Sequence, residues 1–374
     1  MRLLLLLLAA HVLYGQSYDP ALEPPPGFVP RKFSKPAPAS TASPENLFSF
    51  SLDFIYWQSR AEGLEYGLSN SGTQSNQDLK QVMPDFPFQP GFKLSLGTRL
   101  PRDFWNLSLL YTFNHSSAQD SILQPFNANG TPGPGILSVW TYPAAFSDNN
   151  VGARFQSAQS DWKLHMSLFD LALSRTAFLG KAFSVTPSFG LRCAWITQRY
   201  DLNYSGGNLI QYSASSQVTV NSSQINLQQR SNNFGPFFGA LLDWNLGKGL
   251  HFLTAASGAL QASFSKTGRD EFDTYTNTAG ALQTQAIHVS RKSTLFAPQA
   301  QGCLGFRYTD SLSTNTRISG YFLSAFYEAH VRWRLNQFLR YLDSMNASSA
   351  GANVAPTLGD LVLHGLTLEG GLNF

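Results

Sequence analysis

Charge is scarce in this chain. Only 13% of its 374 residues are Asp, Glu, Lys or Arg, about half the share usual in a soluble domain. The net charge of +3 comes without a dense Lys/Arg patch interleaved with aromatics, which argues against a nucleic-acid partner. Cysteine is nearly missing too: Cys193 and Cys303 are the only two. They form no C-x-x-C, so a metal or redox site is not expected. By strand alternation Cys193 faces outward and Cys303 inward, which argues against a disulfide between them. Beyond the N-terminus, no apolar run approaches the ~20 residues that a membrane helix needs. Nor is there a G-x-S-x-G, an H-E-x-x-H or a phosphate-binding loop motif. The chain is not expected to be an enzyme, and no cofactor is implied.

What is present is alternation. The final stretch reads Val362, His364, Leu366, Leu368, Gly370, Leu372 and Phe374 on one face of a strand, with Thr367, Glu369 and Asn373 on the other. One face suits hydrocarbon and the other water. Hydrophobic residues make up 43% of the chain, yet the mean hydropathy is −0.15. The polarity comes from uncharged Ser, Thr, Asn and Gln. A barrel wall in lipid requires this mixture, and the aromatic share of 13% fits the belts at membrane interfaces. With no helix able to cross, a membrane protein of this composition must be a closed barrel.

Residues 1–15 read as a signal peptide, with Arg2 before the apolar run Leu3–Ala10. Residues 16–46 are a Pro-rich periplasmic leader that includes Pro24-Pro25-Pro26. The barrel is expected over residues 47–374. Alternation predicts about ten strands, or twelve if the long segment from Ser116 to Ser160 hides a hairpin. The connections alternate long and short. Bacterial outer-membrane barrels do this, with short periplasmic turns and long external loops, and both chain ends then lie on the periplasmic side. Two local readings go with this. Trp162 to Phe178 changes phase, which suggests a β-bulge near Leu168. Residues 339–345 read as a short helix or loop.

The inward face carries the chemistry. On the ninth strand Glu328, His330, Arg332 and Arg334 alternate with Tyr327, Ala329, Val331 and Trp333. Other inward charges are Asp53, Lys93, Arg99, Arg192, Asp243, Arg307 and Glu369. Charges inside a pore set ion selectivity. The same charges could instead form structural ion pairs that fill a narrow barrel, and the sequence leaves both readings open. Glu328 and His330 share a face and form the best acid–base pair, but no nucleophile accompanies them. Arg332 and Arg334 would bias a pore toward anions.

Several stretches resemble the Legionella-type pore-forming outer-membrane protein family, whose relatives include major-outer-membrane-protein-like porins of environmental chlamydiae. They are Asp53-Phe54-Ile55-Tyr56-Trp57-Gln58 followed by Glu62-Gly63-Leu64-Glu65-Tyr66, Gly91-Phe92-Lys93-Leu94-Ser95-Leu96-Gly97, Asp170, and Pro187-Ser188-Phe189-Gly190-Leu191-Arg192 with Trp195-Ile196. The closing Phe374 is common to barrels generally. The resemblance implies an outer-membrane barrel with porin-like activity. Two cysteines cannot build the cross-linked envelope network of the chlamydial proteins, so that role does not carry over. The expected function is passive diffusion of small hydrophilic solutes or ions, with a filled barrel serving as anchor or surface adhesin as the alternative. The expected partners are outer-membrane lipid and those solutes; a homo-oligomer is compatible with the sequence.

Overall fold

The computed structural model describes residues 48–70, 78–100, 105–125, 135–141, 154–207, 209–213, 216–277, 279–312, 318–342 and 353–374. The expected signal peptide and leader lie outside these residues.

Ten long antiparallel strands form the wall: β1 Phe48–Ala61, β2 Phe88–Arg99, β3 Asn106–Leu123, β4 Arg154–Ser174, β5 Phe183–Gly207, β6 Ser216–Gly247, β7 Leu250–Thr276, β8 Leu282–Ser311, β9 Gly320–Asn336 and β10 Gly359–Asn373. Each pairs with the next in sequence, and β10 pairs with β1. The sheet is therefore closed, so every wall strand has a hydrogen-bonded neighbour on both sides, as lipid requires. The seam between β1 and β10 depends on Gly365. Its φ is +155°, and a Cβ there would sit 2.2 Å from the Tyr56 carbonyl oxygen.

Period-two patterning sorts the side chains. On β1, Phe48, Phe50, Leu52, Phe54 and Tyr56 are exposed on the outer face, while Ser51, Asp53, Ile55 and Trp57 are buried inside. The same outward apolar belt continues through Phe189, Leu191 and Trp195 on β5, Phe234, Phe238 and Trp244 on β6, and Leu366, Leu368 and Phe374 at the chain end.

The strands differ greatly in length. β1 and β10 have 14 and 15 residues, whereas β6 and β8 have 32 and 30. Crossing a membrane takes about 9–11. β3 to β8 thus extend beyond the belt at the long-loop end. Much of the sequence that reads as loop, including Ser116–Leu123, Arg154–Ser160 and Lys266–Thr276, is in fact strand. These stretches are mostly polar on both faces, with only isolated outward apolar residues such as Phe272, which hides their strand character.

Two expectations are corrected. β4 has no bulge near Leu168, because its pairing with β3 and β5 runs unbroken there. Leu164, Met166 and Leu168 face inward while Phe169 and Leu171 face lipid. The strand keeps one phase; what changes is the lumen, which is apolar at that level. The expected helix or loop over 339–345 is also corrected in its described part, residues 339–342. Leu339–Leu342 is a strand that pairs with Asn353–Pro356 in a separate two-stranded sheet.

Candidate lumen site

The interior has two halves. Near the short turns is a polar chamber of about 330 Å³. Ser51, Asp53, Lys93, Asp170, Arg192 and Glu328 are among its lining residues. Toward the long loops the lumen is packed solid. Trp57, Trp162, Leu164, Tyr200, Leu202, Tyr204, Leu227 and Leu363 point in from the wall, all within 2% exposure. Leu335 adds to them from the end of β9, and Leu64, Tyr66, Trp140 and Phe338 enter from the connections and complete the same apolar cluster.

The connections are anchored by wall side chains. Gln229 donates through Nε2 to the Leu335 carbonyl at 2.6 Å and accepts at Oε1 from the Gln337 amide at 2.8 Å. Asn336 donates to the Glu62 carbonyl at 2.7 Å, and Tyr200 to the Leu64 carbonyl at 2.6 Å. Arg269 bonds the Leu339 carbonyl at 3.1 Å and pairs with Glu271 at 2.6 Å. These bonds satisfy backbone groups that the plug would otherwise bury unpaired.

The charged side chains expected on the inward face form two groups at the chamber. In the first, the Lys93 ammonium lies 2.6 Å from both Glu328 oxygens and 4.9 Å from the Trp57 ring centre. Glu328 also meets His330 Nε2 at 3.0 Å. Asp53 is in register with Lys93 on one side and Glu369 on the other. Glu369 accepts from Arg307 at 2.8 Å. In the second group, Arg192 grips Asp170 through two bonds of 2.6 Å. Arg332 lies nearby, 6% exposed, with Gln261 Oε1 at 3.5 Å.

Thus Asp53, Lys93, Arg307, Glu328, His330 and Glu369 come together, and Arg192 and Arg332 form a separate cluster. Arg99 stands at the end of β2, on the short-turn side. Asp243 pairs with His251 at 2.8 Å, and His251 stands opposite Arg307 in the sheet. Arg334 does not join them. It is exposed, its φ is +58°, and its amide donates to Asp360 at 2.9 Å. The pairing of β9 with β10 slips between Arg332 and Asn336, so alternation fails at Arg334. Asp170 and Gln261 complete the second cluster beyond the expected charges. The signal for Asp170 is its position between outward Phe169 and Leu171; for uncharged Gln261 there is none. Among the described residues no group of three or more His, Cys, Asp or Glu could hold a metal. Both cysteines are free thiols, and Cys303 lines the chamber.

A closed, apolar-belted barrel with short turns at one end and long connections at the other is an outer-membrane β-barrel. The family is resolved by sequence. The chain belongs to the family described as Legionella pneumophila major outer membrane protein precursor, whose model matches residues 41–373. It is a protein of the bacterial outer membrane, with its short turns on the periplasmic side. No curated protein matches the chain. Among solved structures, it is similar to the outer membrane protease OmpT of Escherichia coli at 10% identity and a TM-score of 0.36, covering 90% of this chain and 99% of that one. It is similar to a Pseudomonas aeruginosa FadL homologue at 9% and 0.28, covering 88% and 90%. It is also similar to Ail, the attachment invasion locus protein of Yersinia pestis, at 9% and 0.21, covering 88% and 99%.

Proposed function

We propose that the chain is an outer-membrane channel for small hydrophilic solutes or ions, with its outer mouth closed in this conformation. The observation that carries this reading is the polar, charged chamber beneath a plug that is not part of the wall. The Leu339–Leu342 strand pairs with Asn353–Pro356 and not with a barrel strand. Its neighbour Phe338 enters the core as a side chain on a connection. Swinging such a segment outward breaks no ladder hydrogen bond of the wall, only side-chain anchors such as Arg269 to the Leu339 carbonyl. It would strip Phe338 from the core, at a cost of about 3–5 kcal/mol by analogy with core truncation. An open fraction on the order of one in a thousand follows. The lumen charges would then tune which ions pass. The reading gives the chain no catalytic step and needs no cofactor.

The test is single-channel recording in planar bilayers. The wild-type protein should show rare, brief openings. A variant with residues 338–356 replaced by a short Gly-Ser linker should conduct steadily. If that variant folds as a barrel and never conducts, the channel reading fails.

One observation favours a second reading, the filled barrel acting as an anchor. Trp57, Trp162 and Tyr200 belong to the wall, so the apolar core does not leave with the plug. A silent linker variant would support this reading.

A further inference from the structure

The outer wall beyond the lipid belt carries three cations side by side. Arg230 on β6 is in register with Lys266 on β7, and Lys266 with Lys292 on β8. All three are exposed on the outward face. Adjacent strands lie about 4.8 Å apart, so three positive charges share a span of about 10 Å. Like charges directly opposite one another destabilise a sheet. Nearby on this wall other charges are paired: Lys163 with Asp161, Arg199 with Asp201 and His288 with Asp270. Among the described residues no carboxylate pairs with Arg230, Lys266 or Lys292.

The rows beneath them are graded. Two residues toward the membrane come Asn232, Phe264 and Thr294, again in register. Two further come Phe234, Ala262 and Phe296. Phe234, Phe264 and Phe296 are 52%, 54% and 68% exposed. From Trp244 to Phe234, β6 rises by ten residue steps along the belt, which in a tilted strand is about the 25 Å height of the apolar band. The basic row therefore lies just past its outer edge, at headgroup level. A groove of about 370 Å³ joins the basic row to Phe264 and Thr294.

We propose that Arg230, Lys266 and Lys292 bind the headgroup of an outer-leaflet lipid bearing two phosphate groups, with its acyl chains against Phe234, Phe264 and Phe296. Charge favours two phosphates over one. Three cations are balanced by two monoesters of about −1.5 to −2 each, and not by a single phosphodiester. Asn232 and Thr294 can hydrogen-bond the polar part between phosphate and chain.

The experiment is native mass spectrometry of the full refolded chain in detergent, titrated with diphosphoryl lipid A, phosphatidylglycerol or phosphatidylcholine. Diphosphoryl lipid A should bind one to one, at least tenfold more tightly than phosphatidylcholine. R230Q/K266Q/K292Q should lose at least tenfold, while R230K should keep most of the binding and show that charge is what counts. Circular dichroism and heat-modifiable gel mobility confirm that each variant is a barrel. Equal binding by the triple glutamine variant, or by phosphatidylcholine, overturns the proposal. So does displacement by millimolar inorganic pyrophosphate, which would mark a site for free anions.

Discussion

Arg332 is the lumen side chain that differs most from its neighbours. Lys93, Arg192 and Arg307 each have a carboxylate within 2.8 Å. Arg332 has an amide oxygen at 3.5 Å and a second guanidinium, Arg192, whose carboxylate partner it must share. Removing one partner from a buried pair leaves a charge without its counter-ion, whereas a charge already lacking one is free to meet a passing anion. The channel reading therefore makes a prediction at this scale. In the plug-free variant, Arg332→Glu should lower the anion-to-cation permeability ratio several-fold in reversal-potential measurements, and Arg334→Glu should leave it unchanged. Equal effects would show that the two arginines act alike despite their separation. By alternation alone the two are equivalent, because both sit at even steps from Glu328. The left-handed backbone at Arg334 distinguishes them, and a run of ordinary residues carries no mark of it.

At the scale of the element, the seam is the sharpest feature. Gly365 lets β10 approach β1 at Tyr56 and Trp57, where any side chain would meet a carbonyl oxygen. Gly370, on the same strand, has only the Leu323 side chain at 3.6 Å. Gly365→Ala should thus destabilise the barrel by about 1–3 kcal/mol, and Gly370→Ala by little. Urea unfolding in detergent, followed by intrinsic fluorescence, measures both; comparable midpoints would refute the role of the seam. The sequence offers both glycines in the same alternating strand and does not rank them. β4 teaches the same lesson from the other side. Its apolar residues occupy both faces around Leu168, which a polar-lumen rule interprets as a slip in phase. With the outer lumen packed, one straight strand explains the pattern.

For the whole molecule, the tryptophans separate inside from outside. Trp195, Trp244 and Trp333 are 49%, 54% and 38% exposed on the wall, while Trp57, Trp140 and Trp162 are fully buried. Reconstituted into vesicles of brominated phospholipid, the protein should lose the fluorescence of the first three and keep that of the second. Trp105 packs on the exposed Phe189 of the belt and belongs with the outer set, so W105F/W195F/W244F/W333F should be nearly insensitive to bromine. Strong quenching in that variant would mean that lipid or its tails reach the supposed core.

The sequence by itself determined the closed barrel, the belt and the inward placement of Asp53, Lys93, Arg192, Glu328 and Glu369. It could do so because strand side chains alternate strictly and because lipid leaves no other way to satisfy a non-helical backbone. Only the tertiary structure decided how tall the strands are, that the outer lumen is apolar and plugged, that Arg332 sits beside Arg192, and that Arg230, Lys266 and Lys292 form one row. Each of these depends on register and on contacts between distant segments. A strand's own pattern fixes which way a residue points, but not which residue stands opposite it.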